Sequence, residues 1–255
     1  MANVQLRPWF WAVSGIGLHG ALFFVTSLSL AGFLAGAAYL LVSSLLVSLG
    51  LGHRGMTRLG PANAATATRS MLVGFITSFV VTSFTGPIPV ALLIGLSVAA
   101  LLLDAVDGWL ARRFQSESEL GARFDMEVDA FLMLVLSVFD ARYLGWWIVA
   151  IGLMRYAFVA VGWVLPWMRA QLPPRYWRKI VTAVAGIALT LAATGWFPLT
   201  VEAIALGVAL LLLIESFGRD VIWLWRQRHA HREERSGVPH SMRQRSDGSS
   251  RMPVA

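Results

Sequence analysis

The sequence has no cysteine and a single lysine, and only 14% of its 255 residues are charged. Without cysteine there is no disulfide, no thiolate nucleophile and no sulfur-ligated zinc or iron–sulfur centre, so a metal would have to be held by oxygen or imidazole. So little charge, set against 57% hydrophobic residues and a mean hydropathy of +0.66, excludes a water-soluble globule of this length. At about 20 apolar residues per crossing, the chain has room for eight bilayer-spanning helices and short loops, with no separate soluble domain.

Apolar runs fall at residues 9–28, 32–51, 70–86, 88–106, 124–140, 144–165, 180–195 and 199–217, which predicts an all-α, polytopic membrane helix bundle. The breaks are expected at Leu30-Ala31-Gly32, across the basic stretch 52–69, at Thr85-Gly86-Pro87, in the polar loop after Asp107, at Asp140-Ala141-Arg142, around Pro166, Pro173 and Pro174, and at Gly195-Trp196-Phe197-Pro198. The first run is read as a membrane helix rather than a cleaved signal, because it is longer than an h-region and lacks a small-residue cleavage site. Tryptophans such as Trp146, Trp147, Trp163, Trp167 and Trp196 gather near helix ends, as an interfacial belt requires.

The net charge of +7 is distributed by topology, so no nucleic-acid partner is expected. A cytoplasmic N-terminus puts Arg7, then Arg54, Arg58 and Arg69, then Arg112, Arg113 and Arg123, then Arg169, Arg175, Arg178 and Lys179 on one side together with the basic tail, and leaves Arg142 opposite. Both termini are therefore expected in the cytoplasm. From His229 the chain turns to Arg, Ser, Gly, Glu and Pro and is expected to be a disordered basic tail. The domain reading is two N-terminal helices over 1–52, a six-helix unit over 53–228 and the tail over 229–255.

Ionisable groups are costly in hydrocarbon and mark sites or aqueous cavities. Asp104 and Asp107, spaced i, i+3, are expected to close the fourth helix, and Asp125 and Asp129, spaced i, i+4, to open the fifth, each pair on one helical face. A connection of about 17 residues between antiparallel helices brings both pairs to one membrane face. Four neighbouring carboxylates stay ionised only around a cation. An all-oxygen set suits Mg²⁺, Mn²⁺ or Ca²⁺, and paired magnesium ions serve phosphate chemistry. The plainer reading, interfacial salt bridges to Arg112, Arg113 and Arg123, leaves the spacing of both acid pairs and two glycines unexplained.

That spacing runs Asp104-x-x-Asp107-Gly108-x-x-Ala111-Arg112, eight residues, then Gly121-x-x-x-Asp125-x-x-x-Asp129. It resembles the signature of the CDP-alcohol phosphotransferase superfamily at every fixed position. Upstream, Asn63-x-x-Thr66-x-x-Arg69 resembles the polar entry of the family's first core helix. The resemblance covers roughly residues 60–217 as a six-helix core and leaves two N-terminal helices as an addition. It implies that Asp104, Asp107, Asp125 and Asp129 surround Mg²⁺ or Mn²⁺, two ions in all. Asp129 would also take the proton from an attacking hydroxyl. The same resemblance assigns Asn63, Thr66, Asp107, Gly108, Ala111, Arg112 and Gly121 to the CDP-alcohol, with Arg112 facing the diphosphate. It further implies a CDP-linked lipid donor, a polar alcohol acceptor, CMP as product and a homodimer.

Positive charge outside the motif points to the acceptor. Arg155 lies inside the sixth apolar run and needs either a carboxylate such as Glu215 or a polar cavity, while Arg175, Arg178 and Lys179 precede the seventh run. By analogy with relatives that use phosphorylated polyols, these four would bind a phosphate, as in glycerol phosphate or inositol phosphate. Ala130 follows Asp129 where relatives using glycerol phosphate commonly carry lysine, and the acceptor stays open. His19 and Glu202 are expected to make interfacial hydrogen bonds. The strong arginine bias hints at a bacterial plasma membrane. Two rival readings are a cation channel or transporter lined by the acids and a catalytically silent scaffold of the same fold.

Overall fold

The computed structural model describes residues 6–54, 61–114, 119–170, 172 and 176–236, and side chains are described for most of these. Among them are eight α-helices and no strand: α1 (Leu6–Val25), α2 (Leu30–Arg54), α3 (Pro61–Thr82), α4 (Val90–Phe114), α5 (Glu119–Leu144), α6 (Val149–Val164), α7 (Tyr176–Ala192) and α8 (Leu199–Ser236). Short 3-10 turns, Trp146–Ile148 and Pro166–Arg169, lead into α6 and out of it.

The bundle is organised around α3, which packs on α1, α2, α4 and α5, while α5 joins α6 and α7 and α8 closes over both of these. Its core is apolar, with Val73, Ile76, Phe79 and Val80 of α3 meeting Leu132, Leu136 and Phe139 of α5, Leu189 of α7 and Leu206 and Leu213 of α8. The outside is apolar as well. Val13, Phe24, Leu46, Leu102, Trp163, Ile204 and Leu211 are all at least half exposed, an arrangement stable in lipid rather than in water. Buried hydroxyls return their hydrogen to their own helix: Thr77 to Val73, Ser97 to Leu93 and Thr190 to Gly186. Among the described residues, three helical stretches are long and apolar enough to span a bilayer alone, Leu30–Leu49, Trp146–Val164 and Leu199–Arg228, and shorter apolar stretches cover Ala12–Val25, Thr66–Thr82 and Val90–Val106. This is an integral membrane helix bundle.

The helix count follows the hydropathy, but several boundaries do not. The first break lies at residues 26–29, not at Leu30-Ala31-Gly32: Ser29 caps α2 by accepting the Gly32 N–H at 3.0 Å. Gly32 is there for contact, since a Cβ on it would collide with Thr82 and sit 2.5 Å from the Ser78 carbonyl oxygen. The chain does not break at Asp140-Ala141-Arg142 either; α5 continues to Leu144 and turns at Gly145, with φ at 104°. Only residues 115–118, which lie outside the description, separate α4 from α5, where a connection of about 17 residues was expected. Hydropathy locates the part of a helix inside hydrocarbon, whereas arginine-rich segments continue the same helix into the interface. For the same reason α8 runs to Ser236, so 229–236 are helical rather than part of the expected disordered tail. Residues 237–255 lie outside the description.

Candidate active site

α3 enters the membrane with Arg69 in its third turn, and its side chain is completely buried. Such a guanidinium must be matched by negative charge. Three carboxylates supply it. Arg69 Nη1 pairs with Asp104 of α4, Nη2 pairs with Asp125 of α5, and Nη1 lies 3.4 Å from Asp129 Oδ1 one turn further along α5. Nη2 also approaches the Asp125 carbonyl oxygen at 3.4 Å. The planar fork of arginine allows one side chain to serve three acids; a lysine ammonium would not reach them in this way.

The i, i+4 spacing puts Asp125 and Asp129 on the α5 face turned to Arg69 of α3, and one carboxylate oxygen from each of Asp104, Asp125 and Asp129 lies within 4.8 Å of the others. Arg69 forms the floor of this cluster. The acids are 42%, 33% and 41% exposed, so their other side opens outward. Thr66, one turn before Arg69, is buried, and Gly121, one turn before Asp125, is partly exposed. The backbones of Asn63, Asp107, Gly108, Ala111 and Arg112 lie in α3 and α4, but their side chains lie outside the description.

By sequence, Arg69 belongs to the polar entry of α3 and to the basic side of the topology, and no ion pair is expected of it. Among the described residues, Arg69 is the cation paired with these acids. An arginine followed directly by an apolar run was the signal available for it.

Of the expected acceptor residues, Arg155 and Arg178 pair with other carboxylates, Glu127 and Asp220, while Lys179 lies within electrostatic reach of Asp125. Arg155 Nη2 pairs with Glu127 of α5, not with Glu215, which accepts the Trp177 indole N–H at 3.0 Å and pairs with Arg219. Glu127 is two residues from Asp129 and so projects from another face of α5, toward α6. Arg178 lies 3.2 Å from Asp220, whose side chain is only 2% exposed, and Lys179 is exposed. Arg175 lies outside the described residues. His19 is buried and hydrogen-bonded to Ser78 at 3.0 Å, and Glu202 is buried beside Asp140.

A model of the family described as CDP-alcohol phosphatidyltransferase matches residues 60–214. The chain belongs to this family. No curated protein and no solved structure matches it. Membership makes the chain a membrane transferase of phospholipid synthesis that acts with CDP-alcohols, and the matched segment holds α3 through α7 and the first part of α8, to residue 214, while α1 and α2 precede it. The family uses divalent metals. The residues present fit one: three carboxylates from two helices form a hard oxygen donor set, open on the side away from Arg69.

Proposed function

We propose that this transferase moves a phosphatidyl group from CDP-diacylglycerol to a hydroxyl acceptor and releases CMP. The observation that carries the reading is the convergence of Asp104, Asp125 and Asp129 over Arg69 at one end of α3, α4 and α5. At that end a nucleotide head and a polar alcohol reach the acids from water while acyl chains stay in lipid.

Asp104, Asp107, Asp125 and Asp129 hold Mg²⁺ or Mn²⁺, two ions in all. A metal held by these carboxylates would supply positive charge to the diphosphate and to the departing CMP. The protein's own groups do the rest. Asp129 accepts the proton of the acceptor hydroxyl at a carboxylate oxygen. The alcohol oxygen then bonds to the phosphorus that carries the diacylglycerol, the bond from that phosphorus to the bridging oxygen breaks, and CMP leaves with the bonding pair. Asn63, Thr66, Gly108, Ala111, Arg112 and Gly121 bind the CDP-alcohol, with Arg112 on the diphosphate. Arg69 keeps the acids at working separation when the metal is away.

Arg155, Arg175, Arg178 and Lys179 are assigned to the acceptor's phosphate, for an acceptor such as glycerol phosphate or inositol phosphate. In this reading the phosphate replaces Glu127 at Arg155. The enzyme works as a homodimer in a bacterial plasma membrane, with both termini in the cytoplasm, and α1 with α2 forms an added unit ahead of the six-helix domain. A cation channel is disfavoured because its acids would be spread along the membrane depth, whereas these share one end of the bundle.

The test is incubation of purified protein with CDP-diacylglycerol, Mg²⁺ or Mn²⁺ and a panel of polar alcohols. Metal-dependent CMP release with at least one acceptor is expected. No CMP with any acceptor, together with metal-driven ion flux in vesicles, would overturn the reading in favour of the channel; no CMP and no flux would leave a silent scaffold.

A further inference from the structure

The family match starts at residue 60, yet the preceding helices reach the site. Tyr39 of α2 stacks on Phe131 of α5, with ring centroids 4.5 Å apart and planes 12° from parallel. Its hydroxyl is 3.4 Å from Ser70 Oγ of α3, which in turn lies 3.3 Å from Ser43 Oγ of α2. Ser70 directly follows Arg69, and Phe131 comes two residues after Asp129. One side chain from α2 therefore touches both α3 and α5 beside the two residues that close the charge cluster, and Arg69 and Asp129 both lie within electrostatic reach of its hydroxyl.

The hairpin that delivers Tyr39 is fixed on α3. A Cβ on Gly36 would stand 2.6 Å from the Gly74 carbonyl oxygen and 2.6 Å from His19 Nε2, and one on Gly74 would press on Leu40 at 3.0 Å. His19 Nε2 and Ser78 Oγ are hydrogen-bonded at 3.0 Å, and Ser29 donates its backbone N–H to Thr82 Oγ1 at 3.1 Å. Sliding or rotating the α1–α2 hairpin against α3 breaks these contacts together, because small-residue helix interfaces allow only a narrow range of offsets.

We propose that Tyr39 is a positioning residue for the transferase site: by spanning Ser70 and Phe131 it sets the spacing and rotation of α3 against α5, and hence of Arg69 against Asp129. The N-terminal hairpin is then part of the catalytic apparatus. This rests on the reading of the acids as a metal-dependent transfer site. Packing that holds site residues in register commonly changes metal affinity or turnover by about 10-fold to 100-fold when removed.

The experiment compares full-length wild type with Tyr39→Phe, Tyr39→Leu and Leu40→Ala in detergent. It reads Mn²⁺ affinity by electron paramagnetic resonance, thermal midpoint, and kcat and KM for CMP release. Leu40 is buried on the same helix, against Gly15 and Gly74, so its truncation loosens the hairpin without removing the Tyr39 bridge. Tyr39→Leu is expected to weaken Mn²⁺ binding and lower kcat by about 10-fold each with KM for the lipid donor little changed. Tyr39→Phe, which keeps the stack, is expected to recover most of that loss. Leu40→Ala is expected to lower the thermal midpoint while leaving Mn²⁺ affinity near wild type. Wild-type affinity and turnover in Tyr39→Leu, or an equal loss in Leu40→Ala, would overturn the proposal. If wild type binds Mn²⁺ but releases no CMP, the transferase reading fails and the Mn²⁺ comparison alone decides on Tyr39; if it does neither, both fail.

Discussion

Arg69 Nη1 on α3 lies 3.4 Å from Asp129 Oδ1 on α5, and the same guanidinium is paired with Asp104 and Asp125. Arginine and divalent metal thus neutralise the same acids from opposite sides, and each weakens the need for the other. Arg69→Met should lower the thermal midpoint of the metal-free protein by about 2 kcal/mol equivalent, less than a fully buried pair because the acids are partly in water. Mg²⁺ should then raise that midpoint more in the variant than in wild type. Differential scanning fluorimetry across a Mg²⁺ titration measures both quantities. An equal Mg²⁺ response in the two proteins would mean that Arg69 and the metal do not share these carboxylates.

Asp129→Asn keeps an oxygen ligand and a similar volume but cannot accept the hydroxyl proton. With CDP-diacylglycerol and whichever acceptor proves active, kcat should fall by about 10²-fold to 10⁴-fold, the usual range for loss of a general base. Mn²⁺ affinity should fall by no more than about tenfold. CMP release under saturating metal separates these effects; turnover close to wild type would remove Asp129 from the role of base.

Much of this was legible in the sequence, for reasons that differ by residue. The shared face of Asp125 and Asp129 was readable because an i, i+4 spacing fixes it before any packing is known, whereas the side chain of Asp107, i, i+3 from Asp104, lies outside the description. The number of helices was readable because the bilayer sets the length of an apolar run. Where each helix stops was less so: Asp140 and Arg142 look like a loop by polarity, but the turn is made at Gly145, which has positive φ. The partner of Arg155 was missed because Glu127 and Glu215 are equally plausible by charge, and only the packing of α6 on α5 chooses between them. The threefold pairing of Arg69 needs three helices to converge, which no local pattern records.

Close helix contact makes a prediction at α6. A Cβ added at Gly152 would lie 2.8 Å from the Leu134 backbone nitrogen and 2.7 Å from Ser137 Oγ on α5, and backbone cannot yield as a flexible side chain does. Gly152→Ala should therefore destabilise the protein by about 1–3 kcal/mol, an overpacking cost, and loosen the Arg155–Glu127 pair across the same interface. Gly207→Ala on α8 is the matched control, since a Cβ there meets nothing within 4 Å and gains about 0.5–1 kcal/mol from helix propensity. Thermal denaturation in one detergent should give shifts of opposite sign for the two variants.

At the other end of α5, Asp140 is 1% exposed and Glu202 of α8 is 5% exposed. Asp140 Oδ2 and Glu202 Oε1 each lack a hydrogen-bond partner among the described residues, and the Glu202 carboxyl acts electrostatically on Asp140. Two carboxyl groups side by side in an apolar place cannot both be charged without strong repulsion, and each has an oxygen left unsatisfied. Glu202→Gln removes one carboxyl group and brings N–H donors beside Asp140, at almost unchanged volume. It should raise the thermal midpoint at neutral pH by about 2–4 °C, the shift that about 1 kcal/mol produces in a chain of this size. Glu202→Leu offers no donor and should gain less. CMP release should be unchanged in both, because the pair lies at the end of α5 away from Asp125 and Asp129. A lower midpoint in Glu202→Gln would mean that the glutamate carboxylate holds a partner that stabilises this end of the bundle.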